Sequence, residues 1–416
     1  MKSPDQLGHG GFRTVILTRQ IGHYHDARFR SAAARLGNLT VISTANEGEF
    51  AAFLAGEIGE YRVIPLYGSL GEYRVAQSSG RLAVDVRRAL NAVDADCIAV
   101  SGWANPESFE AILWAHDNGV PVVVMSDSQS ADAKRAWLRE SIKAKVVRMC
   151  DAALVAGPTH REYIVRLGLP MDKVHLGYDA VDNEYFLSKS AEARASSRVL
   201  RKRFGLPDRY ILASARFIKK KNLIALIEAY GCMLQKNGSA PDLVILGDGP
   251  LKDKVEEAIS LHSLTSRVHL HGFRTYSELP VYYGLSEAFV HVSLVEQWGL
   301  VVSEAMASGV PVIVSSPCGV ARAVINHGEN GLVVDPSSIV DVCAALEKII
   351  LMTSKERMSM GRLGQLAIGE WGPARFASGL LAAILDARQA VGKRRSAILD
   401  RSLLRALSKL VIRAVE

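Results

Sequence analysis

Short apolar runs of strand length alternate with helical stretches along almost the whole of this 416-residue chain. That alternation restricts the fold to parallel α/β sheets, because parallel neighbours need a crossover and a helix is its usual form. In the first half the predicted strands are 14–18, 39–43, 62–66, 97–101, 120–125, 152–155 and 173–176, with helical patterns at 27–36, 83–93 and 133–149 among the gaps. A polar stretch, 182–198, reads as a linker. A second series then runs through 210–214, 243–247, 268–270, 288–293, 311–314 and 331–334. A length of 416 residues exceeds one ordinary core, so two Rossmann-like domains with parallel sheets facing a cleft are expected. The expected boundaries are 1–182, a linker over 183–205, a second domain over 206–372, and C-terminal helices over 373–416 that cross back.

Composition removes several classes. Hydrophobic content of 49% with 22% charge is that of a folded globular protein. No run approaches the roughly 20 apolar residues of a membrane span. The N-terminal residues lack the apolar core of a secretory signal, so a cytoplasmic protein is expected. Five scattered cysteines form no Cys-x-x-Cys and speak against a zinc or disulfide framework. Residues 393–416 hold seven basic and two acidic residues, +5 of the net +7. The remainder is nearly balanced, and basic patches lack the aromatics that stack on bases, so no nucleic-acid partner is expected. Within the tail, Leu399, Leu403, Leu407, Leu410 and Ala414 share one helical face, and Arg401, Arg405, Lys409 and Arg413 another. Such a helix either lies on an anionic membrane, making the protein peripheral on its inner face, or packs back on the protein.

The residues with chemistry cluster in the second half. After its first strand come Arg216 and Lys221, flanking the start of a helix with apolar residues at Leu223, Leu226, Ile227 and Tyr230. A guanidinium fork, an ammonium and free helix-terminal amides together suit a diphosphate. Gly247-Asp-Gly-Pro250 ends the next strand in a tight turn that lets backbone approach a ligand. Further on, Glu296 and Glu304 span a strand-to-helix turn. Glu296 sits in the loop at a strand's carboxyl end, and Glu304 about one turn into a helix over 300–308 that Gly309 caps. Asp94-Ala-Asp96 has metal-ligand character, but its place between a helix and a strand favours a turn.

In order these are Arg-x4-Lys-Asn, Gly-Asp-Gly-Pro, His271-Gly-Phe273, Glu-x7-Glu and Gly328-Glu-Asn-Gly331. The series resembles the family-4 (group 1) glycosyltransferases of the GT-B fold, over roughly residues 205–375. The resemblance is looser in the first half, at Asp182 and at the run beginning Gly119. It implies a retaining transferase that moves a sugar from a nucleotide diphosphate sugar to a saccharide or lipid-linked acceptor, as in bacterial polysaccharide or glycoconjugate synthesis. By that resemblance Arg216 and Lys221 neutralise the donor phosphates, Glu296 orients the transferred sugar, and Glu304 accepts from the ribose hydroxyls. The amides of 298–301, including Gly299, Leu300 and Val301, together with Gly247, Phe273 and Gly22, complete the donor set. No metal and no cofactor beyond the donor are implied. Asp127 stands where the family usually has a histidine and joins the catalytic set; with His23 and His25 it makes up the acceptor contacts. Asp179-Ala180 and Ala321-Arg322 stand where the family often has Asn-Gly and Pro-Glu. Two alternatives remain: a nucleotide-sugar epimerase of the same fold, and a non-catalytic binding member.

Overall fold

A computed structural model of the chain describes residues 12–47, 60–133, 135–390 and 402. Among these, strands pair only in parallel and fall into two sheets. The first comprises β1 (Thr14–Thr18), β2 (Leu39–Ser43), β3 (Arg62–Pro65), β4 (Cys97–Ser101), β5 (Val122–Ser126), β6 (Ala152–Val155) and β7 (Val174–Leu176), in the order β3-β2-β1-β4-β5-β6-β7. The second comprises β8 (Tyr210–Ser214), β9 (Asp242–Leu246), β10 (Val268–Gly272), β11 (Ala288–His291), β12 (Val312–Ser315) and β13 (Leu332–Val334), in the order β10-β9-β8-β11-β12-β13. In each sheet the order reverses once, between β1 and β4 and between β8 and β11. At such a switch point adjacent crossovers leave in opposite directions and open a crevice at the carboxyl ends of the strands. Both halves are therefore Rossmann-like α/β units.

The two-residue period of a strand explains why these runs are almost wholly apolar. Val15, Leu17, Ile98, Val100, Val122 and Val124 face one core of the first unit. Ile16, Cys97, Ala99, Val123 and Met125 face the other, where Phe376, Leu380 and Ile384 of the helix Pro373–Ala390 cover them. That helix packs on His23–Leu36, so the chain returns after the second sheet to finish the first. The compact units accordingly lie within Met1–Ala180 with Pro373–Glu416, and within Val181–Gly372.

Residues 183–205, expected as a linker, are two helices of the second unit, Asn183–Ala195 and Ser197–Phe204. Asp182 caps the first, accepting from the Tyr185 amide at 3.0 Å. Phe186, Ser190 and Ala193 are buried on one face, and Ser190 Oγ donates to Pro280 O at 3.2 Å and lies 2.9 Å from Ser308 Oγ. The helix expected over 133–149 spans only Trp137–Val147, because Ser130–Asp132 forms its own 3-10 turn, with Asp132 accepting from the Gln129 amide at 2.8 Å. The basic tail, 393–416, lies outside the described residues apart from Ser402.

Candidate functional site

The site grows from the two strands that flank the second switch point. The loop leaving β8 turns through Lys219–Lys221 and enters the helix Leu223–Lys236 by way of Asn222, which adopts φ +59° and donates from Nδ2 to Pro336 O at 2.8 Å. The turn after β9 presses against this loop: Phe217 N donates to Asp248 O at 2.9 Å, and Leu251 N to Phe217 O at 3.0 Å. Gly247 has φ +116°, and a Cβ there would lie 2.0 Å from Ala215 O. The glycine lets this turn approach the chain itself, and the contact fixes the loop that carries Arg216 and Lys221.

The loop after β11 supplies the acid. Leu294 N donates to Lys220 O at 2.8 Å, tying the two loops together, and Lys221 Nζ meets Glu296 Oε2 in a direct ion pair. His291 Nε2 lies 2.8 Å from the same oxygen, and Ser293 Oγ donates to it at 3.2 Å. A carboxylate can only accept, so the His291 Nε2 carries a proton. Burial opposes the Glu296 charge, but the His291 hydrogen bond and the Lys221 ammonium outweigh it and hold the carboxyl down at about 2.

Next begins the helix Leu300–Ala307, with Gly299 as its N-cap at φ +101°. A Cβ on Gly299 would come within 2.5 Å of Cys318 Sγ, which itself donates to Trp298 O at 2.8 Å. Burial pushes that thiol up, so it stays a neutral packing group. Val302 N and Ser303 N turn back to Gly299 O at 2.9 and 3.2 Å. Leu300 and Val301 head the helix, where amides and dipole favour an anion. Glu304 is fully buried and accepts from the Tyr283 hydroxyl at 2.6 Å. Arg216 is exposed on the β8 loop, and Phe273 is 70% exposed just past β10. The second unit thus brings together Lys221, Glu296 and the Gly299 helix start, with Glu304 directly beneath that start in the same helix.

Residues 198–366 match the family model described as glycosyl transferases group 1. The chain carries a group 1 glycosyltransferase domain. Among curated relatives, it is 32% identical over 255 residues to an alpha-D-kanosaminyltransferase of Streptomyces kanamyceticus, covering 58% of this chain and 64% of that one. It is 30% identical over 213 residues to a GDP-mannose-dependent alpha-(1-6)-phosphatidylinositol monomannoside mannosyltransferase of Mycobacterium tuberculosis, covering 49% and 52%. The chain therefore spans about half to two thirds of the curated relatives it matches. The fold is that of Anabaena HepE in complex with UDP and glucose, at a TM-score of 0.69 and 15% identity over 89% of this chain and 98% of that one.

No motif in the sequence singles out His291, Ser293 and Tyr283 of the glycosyltransferase domain as partners of the two acids. Strand periodicity offers a signal for two of them. In the strand predicted over 288–293, His291 and Ser293 stand two apart and so share a side, ahead of the loop that brings Glu296 back.

The other candidates lie in the first unit, beside the glycosyltransferase domain in sequence. Gly22 is the N-cap of His23–Leu36 in an extended conformation, φ −122°, and its amide donates to His25 Nδ1 at 3.4 Å. His25 is thereby engaged at its own helix end. Burial, then the Arg28 charge, pull its pKa down to about 3, which keeps Nδ1 an acceptor. His23 is half-buried one residue into the helix, and Asp127 is half-buried just past the carboxyl end of β5. At this unit's own switch point stands a group the sequence did not reveal. Arg19, following β1, lies 3.2 Å from Glu107 and from Asn105, and 3.0 Å from the Tyr73 hydroxyl, which donates to Glu107 at 2.8 Å. Asp94 and Asp96 both pair with Arg13 in the turn before β4, a structural use. Among the described residues no group of three or more His, Cys, Asp or Glu side chains is placed to hold a metal ion. No described helix is long and apolar enough to cross a membrane.

Proposed function

We propose that this chain is a retaining glycosyltransferase that takes a sugar from a nucleotide diphosphate sugar and places it on a saccharide or lipid-linked acceptor in bacterial glycoconjugate synthesis. The observation that carries this reading is the Lys221–Glu296 ion pair beside the helix start at Gly299, at the switch point of a group 1 domain. A cation and helix amides on one side, with a carboxylate held ionised on the other, match a diphosphate joined to a polyhydroxyl ring. Lys221, the exposed Arg216 and the amides of Leu300 and Val301 neutralise the diphosphate as its bond to the anomeric carbon breaks. Glu296, kept anionic, accepts from the sugar hydroxyls. Glu304 accepts from the ribose hydroxyls, which requires its buried carboxylate to be reached from the helix start. Gly247 holds the cationic loop in place, and Phe273 offers an exposed ring at the rim of the donor set.

The acceptor's hydroxyl proton passes to the departing phosphate, so no strong base is needed. Asp127, His23 and His25 are assigned to the acceptor on the first unit, with Asp127 orienting the attacking hydroxyl. The similarity to a kanosaminyltransferase and to a GDP-mannose-dependent mannosyltransferase supports sugar transfer. Metal is not required in this scheme because Lys221, Arg216 and the helix amides take the charge. The basic tail, 393–416, adds a contact with an anionic membrane surface.

A panel of nucleotide sugars screened for thermal stabilisation identifies the donor. Turnover with that donor should release nucleoside diphosphate only with an acceptor, survive EDTA, and give a product of unchanged anomeric configuration by NMR. A rearranged nucleotide sugar formed without acceptor would replace this reading with an epimerase.

A further inference from the structure

Trp137 is 81% exposed, the highest value among the large apolar side chains of the described residues, and Leu138 beside it is 62% exposed. Both open the helix Trp137–Val147 in the first unit. At 100° per residue, Trp137, Arg148, Ser141, Lys145 and Leu138 fall within an arc of roughly 100°. Val146 and Val147 take the buried side, and Lys143 is occupied on Glu140 at 2.9 Å. Residues 135–148 hold five basic side chains and one acid, Glu140. That acid is held by Arg135 at 3.4 Å and by the Tyr163 hydroxyl at 2.9 Å, so the exposed charge left on the helix is that of Arg139, Lys145 and Arg148.

We propose that this helix face docks on an anionic lipid surface. A tryptophan and a leucine at one helix end suit the boundary between headgroups and acyl chains, where the indole keeps its N–H wet. Lys145 and Arg148 on the same arc complement anionic headgroups, while the helix's own carboxylate, Glu140, is engaged by Arg135, Lys143 and Tyr163. This face shares no residue with the tail at 393–416 or with the donor set, and it does not depend on the transfer reading.

The chain supplies its own probe. Trp103, Trp114, Trp298 and Trp371 are buried, so Trp137 is the one tryptophan of the five that solvent reaches freely. Acrylamide quenching of the full chain is measured with vesicles of phosphatidylcholine alone and of phosphatidylcholine mixed with phosphatidylserine. The mixed vesicles should lower quenching roughly two-fold and shift emission to the blue, with the neutral ones leaving both unchanged. Leu138→Glu and Lys145→Glu, both at exposed positions, should each remove the protection, and deletion of residues 393–416 should not. Protection equal on neutral vesicles, or protection that disappears with the tail, overturns the proposal. Unchanged quenching on both vesicle types also overturns it and returns the patch to a protein partner.

Discussion

Lys221 and Glu296, 75 residues apart in sequence, meet in a direct ion pair where the strand order of the second sheet reverses. Each comes from a different flank of the switch point, so the pair reports that both loops have reached the same crevice. The carboxylate is the counterion of the ammonium that the proposed function assigns to the diphosphate.

Lys221→Ala removes the cation while His291 and Ser293 keep their hold on Glu296. The turnover number should fall by about 10²–10³, the usual loss for one donor of charge stabilisation in a closed site. Thermal unfolding should move by only a few degrees, roughly what 1 kcal/mol produces in a domain of this size. Near-normal turnover would take Lys221 out of the machinery.

His291→Phe should keep the packing against Phe289, whose ring lies 6.4 Å away, and lose the hydrogen bond to Glu296. The carboxyl then moves from about 2 back toward its ordinary value of 4.5. In the proposed transfer Glu296 acts as an anion, so the acid limb of the kcat/KM profile should shift to higher pH, and His291→Gln, which keeps a donor, should restore it. The same linkage bears on stability. A depressed carboxyl pKa stabilises the fold above the unfolded value and loses that contribution as pH falls from about 4.5 toward 2. The wild type should accordingly lose more stability over that window than the Phe variant, as measured by urea unfolding.

Much of the fold was legible because parallel strands buried on both faces leave near-continuous apolar runs. The ends of β1, β2, β4, β6 and β8 fall where the sequence puts them. The Asn183–Ala195 helix was not legible as such. It buries only Phe186, Ser190 and Ala193, and a serine bonded to Ser308 looks like linker composition. Of the site, the acids, cations and glycine turn could be named from their spacing. The His291 brace, the Tyr283 bond and the Arg19 cluster depend on contacts between distant elements, which no local pattern encodes.

Glu304→Gln changes charge without changing shape. Its amide oxygen can still accept from Tyr283, so the fold should survive with little change in unfolding temperature. Donor affinity, read by calorimetric titration, should drop roughly 10- to 100-fold, since hydrogen bonds to a charged acceptor contribute about 1.5–3 kcal/mol. An unchanged affinity would leave Glu304 as a packing residue of the helix Leu300–Ala307 alone.

Gly247→Ala tests whether the cationic loop is held by backbone contact. The new Cβ would require φ +116° and stand 2.0 Å from Ala215 O, so the loop or the strand end must move. Gly328→Ala is the control: its φ of +88° is also left-handed, but nothing lies within 4 Å of the added carbon. The control should cost about 1 kcal/mol in urea unfolding, the conformational term alone. Gly247→Ala should cost roughly 3 kcal/mol or more, because backbone strain is joined by steric overlap with chain that cannot yield as a flexible side chain would. Its donor affinity should fall as well, since Arg216 and Lys221 ride on the displaced loop. Equal costs for the two substitutions would mean that the contact between Gly247 and Ala215 does not set the position of the cations.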